Sequence, residues 1–230
     1  VLIGTLTTQA PPTFKSDTIW SYEAGLRTQW LHKTLIFDVT PYQIDWINPQ
    51  LEQADATGLG SFFSNVGGAR ARGVELSTSY LTPLQGLSLS FAGSYDDTVT
   101  TKPFTTSTGV QTEPGTRWPL AARWQTATTV NYLHPLFGSN WKGGGSLVYS
   151  FIGPAPNTLA YLDEVFGYQT LDVMLNTSNT EMRGAPQISI SLDNATNTHG
   201  IISGVNNPEF PKDHNYIRPR TLIARVSLGF

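Results

Sequence analysis

The 230-residue sequence contains no cysteine, which removes disulfides, thiolate zinc sites and cysteine nucleophiles together. Charge is scarce as well. Asp, Glu, Lys and Arg make up 13% of the chain and leave a formal net charge of -3, so neither a basic nucleic-acid-binding surface nor a coiled coil fits. No apolar run approaches the roughly 18 residues that a membrane-crossing helix needs. Position 1 is not Met, and no charged segment followed by an apolar stretch opens the chain, which leads us to expect a mature or truncated product. What is abundant is Ser, Thr, Asn, Gln, 21 Gly and the aromatics, including six Trp and nine Tyr, a mixture that favours strands and turns.

The apolar residues recur at every second position. In Ile19–Leu31, Trp20, Tyr22, Ala24, Leu26, Thr28 and Trp30 alternate with Ser21, Glu23, Gly25, Arg27 and Gln29. In Leu87–Asp96, Leu87, Leu89, Phe91, Gly93 and Tyr95 alternate with Ser88, Ser90, Ala92, Ser94 and Asp96. The same period marks Gly73–Leu81, Leu120–Leu133, Trp141–Phe151, Tyr168–Thr177, Gln187–Asn194 and Tyr216–Phe230. A ninth strand, Leu35–Ile47, changes apolar parity from Leu35, Phe37 and Val39 to Tyr42, Ile44 and Trp46 across Pro41, which predicts a bulge or an edge there.

Short connections (His32-Lys33, Thr82–Gly86, Pro135–Asn140, Thr177–Pro186) alternate with long ones at about Asn48–Gly68, Thr101–Arg117, Pro154–Gly167 and Thr198–Asn215. In an antiparallel meander every second connection lies at the same end, so all the long loops gather at one end, as in a membrane barrel. Strand length points the same way. A soluble β-sandwich uses strands of about five or six residues, whereas a tilted membrane-spanning strand needs about 9–11. Trp20, Trp30, Tyr80, Trp118, Trp124, Tyr132 and Trp141 sit near strand ends, where amphipathic rings favour the membrane boundary. The fold class is all-β, with nine antiparallel transmembrane strands, apolar residues outward and polar residues, including Glu23, Arg27, Glu75, Asp96, Arg123, Asp172, Asp193 and Arg225, toward a lumen. Arg70 and Arg72 share the outward parity of Val74 and are expected above the hydrocarbon, against lipid headgroup phosphates.

Several segments resemble the C-terminal half of a TonB-dependent outer-membrane receptor barrel. Ser21-Tyr22-Glu23-Ala24-Gly25-Leu26-Arg27-Thr28 is similar to that family's "S-Y-E-x-G-x-K/R-T" strand, and Tyr42-Gln43-Ile44-Asp45-Trp46-Ile47 follows in the matching place. Asn65-Val66-Gly67-Gly68-Ala69-Arg70-Ala71-Arg72-Gly73-Val74-Glu75 resembles "N-x-G-x-A-x-S/A-x-G-V-E", Asp193-Asn194-Ala195-Thr196-Asn197 the "x-N-L-x-N" ending, and Pro219-Arg220-Thr221 the opening of the terminal strand. In that last strand Leu222, Ala224, Val226, Leu228 and Phe230 share one parity, which resembles the C-terminal signal read by the barrel-assembly machinery.

The resemblance implies the C-terminal part of a 22-stranded barrel in the outer membrane of a Gram-negative bacterium, working in TonB-energised uptake of a siderophore-like or other scarce, large ligand. It also implies partners: outer-membrane lipid, the TonB complex through a plug domain and TonB box that are absent here, the barrel-assembly machinery, and further strands or another chain. Val1–Thr8 is a candidate tenth strand. A self-contained ten-stranded barrel fits less well, because small barrels fill their interiors with side chains and these inward faces are rich in Ser, Thr and Gly.

No enzyme signature is present: there is no G-x-S-x-G, no phosphate-cradling glycine loop and no H-E-x-x-H. No cofactor or metal is expected, since His199 and His214 share one loop without a supporting ligand set. The residues expected to meet a ligand, from the long loops and the upper lumen, are Trp46, Phe62, Phe63, Asn65, Arg70, Phe104, Arg117, Trp118, Tyr161, Phe166, Tyr168, His199 and His214. Two other readings stay open from the sequence: a truncated barrel or open sheet with a structural or adhesive role, and a secreted glycan-binding β-sandwich.

Overall fold

Long period-two strands joined by alternating tight and wide connections dictate a meander. The computed structural model describes residues 13–54, 61–106, 109, 111–136, 140–157, 164–179, 181–207 and 210–228. In chain order the strands are β1 (Thr18–Glu23), β2 (Leu26–Trp30), β3 (Leu35–Ile47), β4 (Gln50–Ala54), β5 (Ser61–Asn65), β6 (Gly68–Leu81), β7 (Leu87–Thr100), β8 (Phe104–Thr105), β9 (Gln111–Thr112), β10 (Trp124–Pro135), β11 (Lys142–Ile152), β12 (Ala155–Pro156), β13 (Glu164–Val165), β14 (Tyr168–Ser178), β15 (Gln187–Asp193), β16 (Ile201–Asn207), β17 (Phe210–Tyr216) and β18 (Thr221–Ser227). One antiparallel sheet runs β1-β3-β6-β7-β10-β11-β14-β15-β18, with β2 beside β3 in line with β1. It is open: β1/β2 and β18 are its two edges.

Residues opposite one another on neighbouring strands share a face, so the register reads out the two surfaces. Trp30, Leu35, Tyr80, Leu89, Val130, Leu147, Val173, Leu192 and Leu222 form one unbroken cross-strand row from edge to edge. The adjacent row, on the opposite face, is Gln29, Ile36, Ser79, Ser90, Thr129, Val148 and Asp172. The apolar row is not covered: Trp30 is 61% exposed and Leu222 70%. Among the described residues there is no conventional core. The buried apolar side chains, Val66, Ala69, Ala122 and Ala155, lie instead at the bases of the long connections. A sheet that exposes its apolar face this broadly needs a hydrocarbon solvent.

The nine expected main strands are all present, with four corrections. The bulge at Pro41 does not occur, because β3 pairs with β6 without a slip from Leu35–Tyr80 to Ile47–Gly68. The effect of Pro41 falls on its other neighbour. Ala24 N–H still donates to Pro41 O at 3.2 Å, but proline returns no N–H, and β1 and β2 separate there while keeping one register, Glu23 opposite Tyr42 and Leu26 opposite Val39. The parity switch in β3 has another cause: beyond Pro41 the outward positions, Gln43 and Asp45, have left the apolar band, and the aromatic residues turn to the lumen.

β10 starts at Trp124 rather than Leu120, whose φ of 57° is incompatible with a strand. Arg123, expected inward, therefore escapes the ladder's alternation, and its Nη2 meets Asp97 Oδ1 at 2.7 Å. Tyr216 ends β17, which belongs to a loop hairpin and not to the terminal strand. In fact each of the four long connections folds into its own two-stranded ribbon, β4-β5, β8-β9, β12-β13 and β16-β17. The β-sandwich alternative is overturned as well: among the described residues no second sheet lies face to face with the first, only these short ribbons. Val1–Thr8, Tyr161 and Phe230 lie outside the described residues.

Candidate functional site at the loop end of the sheet

At the loop end the lumen face carries aromatic residues because β3 places Tyr42, Ile44 and Trp46 there, opposite Gly73, Ala71 and Ala69 of β6. Small partners leave room for the rings. Tyr42 lies across Gly73 and donates its hydroxyl to Asp96 Oδ2 on β7 at 2.5 Å, while the Thr98 hydroxyl donates to the other oxygen of Asp96. A Cβ on residue 73 would stand 2.5 Å from the Tyr42 hydroxyl and 2.3 Å from Tyr95 O, so only glycine admits this contact. Above it, the Trp46 indole N–H donates to Asp17 Oδ2 at 2.8 Å, and the Trp46 and Trp118 rings meet at 5.8 Å with a 43° tilt. Trp118 is held by its backbone N–H on Thr98 O at 2.9 Å. It is thus a lumen-rim residue rather than the membrane-boundary ring expected of it.

Two polar residues stitch this rim. The Asn65 side chain donates to Lys15 O (2.9 Å) and Asn48 O (2.8 Å) and accepts the Lys15 N–H (2.6 Å), fixing the segment before β1 against the base of the β4-β5 ribbon. Arg117 donates to Ala121 O (3.2 Å) and Pro154 O (3.4 Å), linking two loop bases. Both were expected to meet ligand; the structure engages them in holding the loops. On the far side, Phe166 and Tyr168 join Leu120, Ile152, Val165 and Ile202 around a small apolar cleft of about 190 Å³, and with His199 and Phe151 they line a second of about 370 Å³. The remaining expected residues stay apart. Phe62 and Phe63 are on β5, Phe104 is on β8, and His214 is on β17, with its ring 6.2 Å from that of Tyr216.

Arg70 is not in the lumen. On the outward face of β3, β6, β7 and β10 the last wholly apolar row is Pro41, Val74, Tyr95 and Trp124, the last two rings 4.7 Å apart; beyond it Arg70 lies between Asp45 and Val99 with its Nε on Asp45 Oδ1 at 2.6 Å, and Trp20 stands on the other side of Asp45. The Gln43 amide donates to the other oxygen of the Asp45 carboxylate at 2.8 Å. Lower in the lumen a hollow of about 630 Å³ is lined by residues including Arg27, Asp38, Glu75, Gln125, Leu76 and Phe151, with Arg27 Nε 3.6 Å from Asp38.

The terminal-strand residues Leu222, Ala224 and Val226 face outward opposite Leu192, Ile190 and Ile188, and Leu228 is 57% exposed. The Asp193–Asn197 motif has a structural explanation. Asn194, 5% exposed with φ 48°, accepts Thr198 N–H and donates to Thr198 O and Arg218 O, while its own N–H reaches Asp172 Oδ1 at 2.6 Å. It latches both ends of the last long connection. Asp17, Tyr42, Asp96 and Leu120 were missed as rim residues. The alternation placed Tyr42 and Asp96 on strands, but nothing local shows that residues 54 positions apart touch across two strand boundaries.

The chain matches the family model "TonB dependent receptor-like, beta-barrel" over residues 2–197. Its fold is similar to that of the ferric yersiniabactin uptake receptor FyuA from Yersinia pestis (TM-score 0.70, 18% identity, 93% of this chain and 30% of that one). It is also similar to BauA, the ferric preacinetobactin receptor from Acinetobacter baumannii (0.68, 18%, 96% and 32%), and to the copper transporter OprC (0.68, 14%, 95% and 32%). The chain spans about a third of the length of each of these solved structures.

Proposed function

The chain belongs to the TonB-dependent receptor-like β-barrel family, and on that premise we propose that it is part of the wall of an outer-membrane receptor for energised uptake of a siderophore-like or other large chelate in a Gram-negative bacterium. The observation that carries this reading is the pairing of an uninterrupted apolar outer row with an aromatic lumen rim, Trp46 against Trp118 with Asp17 behind them. Flat rings beside a few polar groups suit a bulky chelate whose surface is partly apolar. Phe166, Tyr168 and His199 form the opposite contact surface. The segment that carries Leu222, Ala224, Val226, Leu228 and Phe230 is the one we assign to recognition by the barrel-assembly machinery.

Closure needs strands beyond these nine. Because the strands alternate in direction, β1/β2 and β18 run the same way, and two copies placed edge to edge about the barrel axis would meet in parallel. An all-antiparallel barrel therefore takes an odd number of additional strands, from the same polypeptide or another chain. Energy coupling enters through a plug domain and TonB.

The test is uptake of iron-55 as a panel of ferric chelates by cells carrying the wild-type gene, the W46A/W118A variant or no gene, with and without TonB. The reading expects one chelate whose uptake needs both the gene and TonB, and whose apparent Kd weakens about tenfold or more in the double variant. A folded outer-membrane protein whose loss alters uptake of no chelate, but abolishes surface attachment, would favour the structural role.

A further inference from the structure

Above the outward band the sheet builds a charged patch that the uptake reading leaves unused. Arg70 and Arg72 of β6 share the outward face with Val74, and Arg123 joins them on Asp97, which stands opposite Arg72. Three guanidiniums face two carboxylates, Asp45 and Asp97, so the patch is net cationic. Its two central arginines are held by their Nε alone, Arg70 on Asp45 at 2.6 Å and Arg72 on Gln43 at 2.9 Å. Among the described residues the terminal amino groups of Arg70 and Arg72 have no hydrogen-bond partner. Arg72 is exposed and the Arg70 side chain is 38% accessible.

Location selects the ligand. The patch begins one row beyond the Tyr95–Trp124 pair, whose rings meet at 4.7 Å with a 55° tilt, an aromatic couple of the kind that marks a hydrocarbon boundary. It is therefore at headgroup depth and continuous with the lipid-facing surface. A guanidinium tethered through Nε presents its outer N–H groups as a planar fork, which matches phosphate oxygens. Two such forks on one strand, two residues apart, stand about 7 Å from each other along the chain. We propose that Arg70 and Arg72, with Arg123 beside them, form a fixed binding site for the phosphate groups of an anionic lipid of the loop-side leaflet, its acyl chains lying on Val74, Tyr95 and Trp124 below. The proposal rests on the membrane-wall reading.

The full chain, extracted from its native membrane in detergent and exchanged into nanodiscs of zwitterionic lipid doped with a phosphorylated glycolipid, tests it. Bound glycolipid is counted by native mass spectrometry for wild type, R70Q/R72Q, R70K/R72K and the lumen-side control R27Q. Heat-modified electrophoretic mobility certifies that each variant is folded. R70Q/R72Q is expected to weaken retention about thirtyfold, the lysine pair to recover part of it, and R27Q to match wild type. Dephosphorylated glycolipid should not be retained. Equal retention by wild type and R70Q/R72Q overturns the site while leaving the membrane wall intact. Complete displacement of the lipid by millimolar inorganic phosphate overturns the lipid assignment in favour of a free anion. Recovery of the protein without detergent overturns both this site and the wall it stands on.

Discussion

Leu147 and Ser146 are sequence neighbours that the register sends to opposite solvents, and exchanging each for arginine measures the difference. Leu147 is the middle residue of β11, five residues from Lys142 and five from Ile152. At about 3.4 Å per residue and a tilt of about 40°, five residues rise about 13 Å along the membrane normal, which puts Leu147 near the centre of a hydrocarbon layer about 25 Å tall. Its outward neighbours are Val130 and Val173, and it is 45% exposed in this open sheet. An arginine at that depth costs about 2–4 kcal/mol, equivalent to about 30- to 700-fold in the folding equilibrium. Ser146 sits opposite Asn131 and Met174 on the lumen face, where an arginine reaches water at a cost of about 0.5 kcal/mol or less. Urea titration of the membrane-inserted protein, followed by tryptophan fluorescence and heat-modified mobility, gives both values. If S146R is as damaging as L147R, or if neither shifts the midpoint, the assignment of faces is wrong and the membrane reading goes with it.

Gly73→Ala should destabilise the folded state by about 1–3 kcal/mol, because the new methyl meets the backbone oxygen of Tyr95 at 2.3 Å as well as the Tyr42 hydroxyl; equal urea midpoints for the variant and wild type would contradict the packing. Asn194→Ala leaves Thr198 and Arg218 backbone groups unpaired and should cost about 2–4 kcal/mol, with hydrogen exchange rising first in the connection from Thr198 to Arg218.

Much of the fold was legible because alternation is a local property. A strand that faces lipid on one side and water on the other must repeat its apolar residues with period two, and Trp20–Trp30 or Leu87–Tyr95 show that without any partner. Connection length was legible for a similar reason. The rim was less so. Trp46 and Trp118 were both singled out, but their contact depends on which strands neighbour β3 and on where β10 begins. Asn65, Arg70 and Arg117 were read as ligand contacts from residue type, and the structure engages each in a bond to a loop base or an outward carboxylate, because a long polar side chain binds what the tertiary fold brings nearest. Pro41 misled in an instructive way: the parity change it marks is a change of surroundings along a straight strand, from hydrocarbon to headgroup depth, and not a defect in the ladder.

The sequence by itself determined the two-faced strands, their number among the described residues, the end at which the long loops gather and the absence of a cysteine or helical alternative, since all of these follow from chain-local spacing and composition. Only the tertiary structure decided the register that joins Trp30 to Leu222 in one row, the meeting of Tyr42 with Asp96 over Gly73, the folding of each long connection into a ribbon, and the lifting of Arg70 and Arg72 clear of the apolar band. Those depend on which residues lie opposite one another across a ladder, a pairing in which a shift of one residue turns every side chain to the other face.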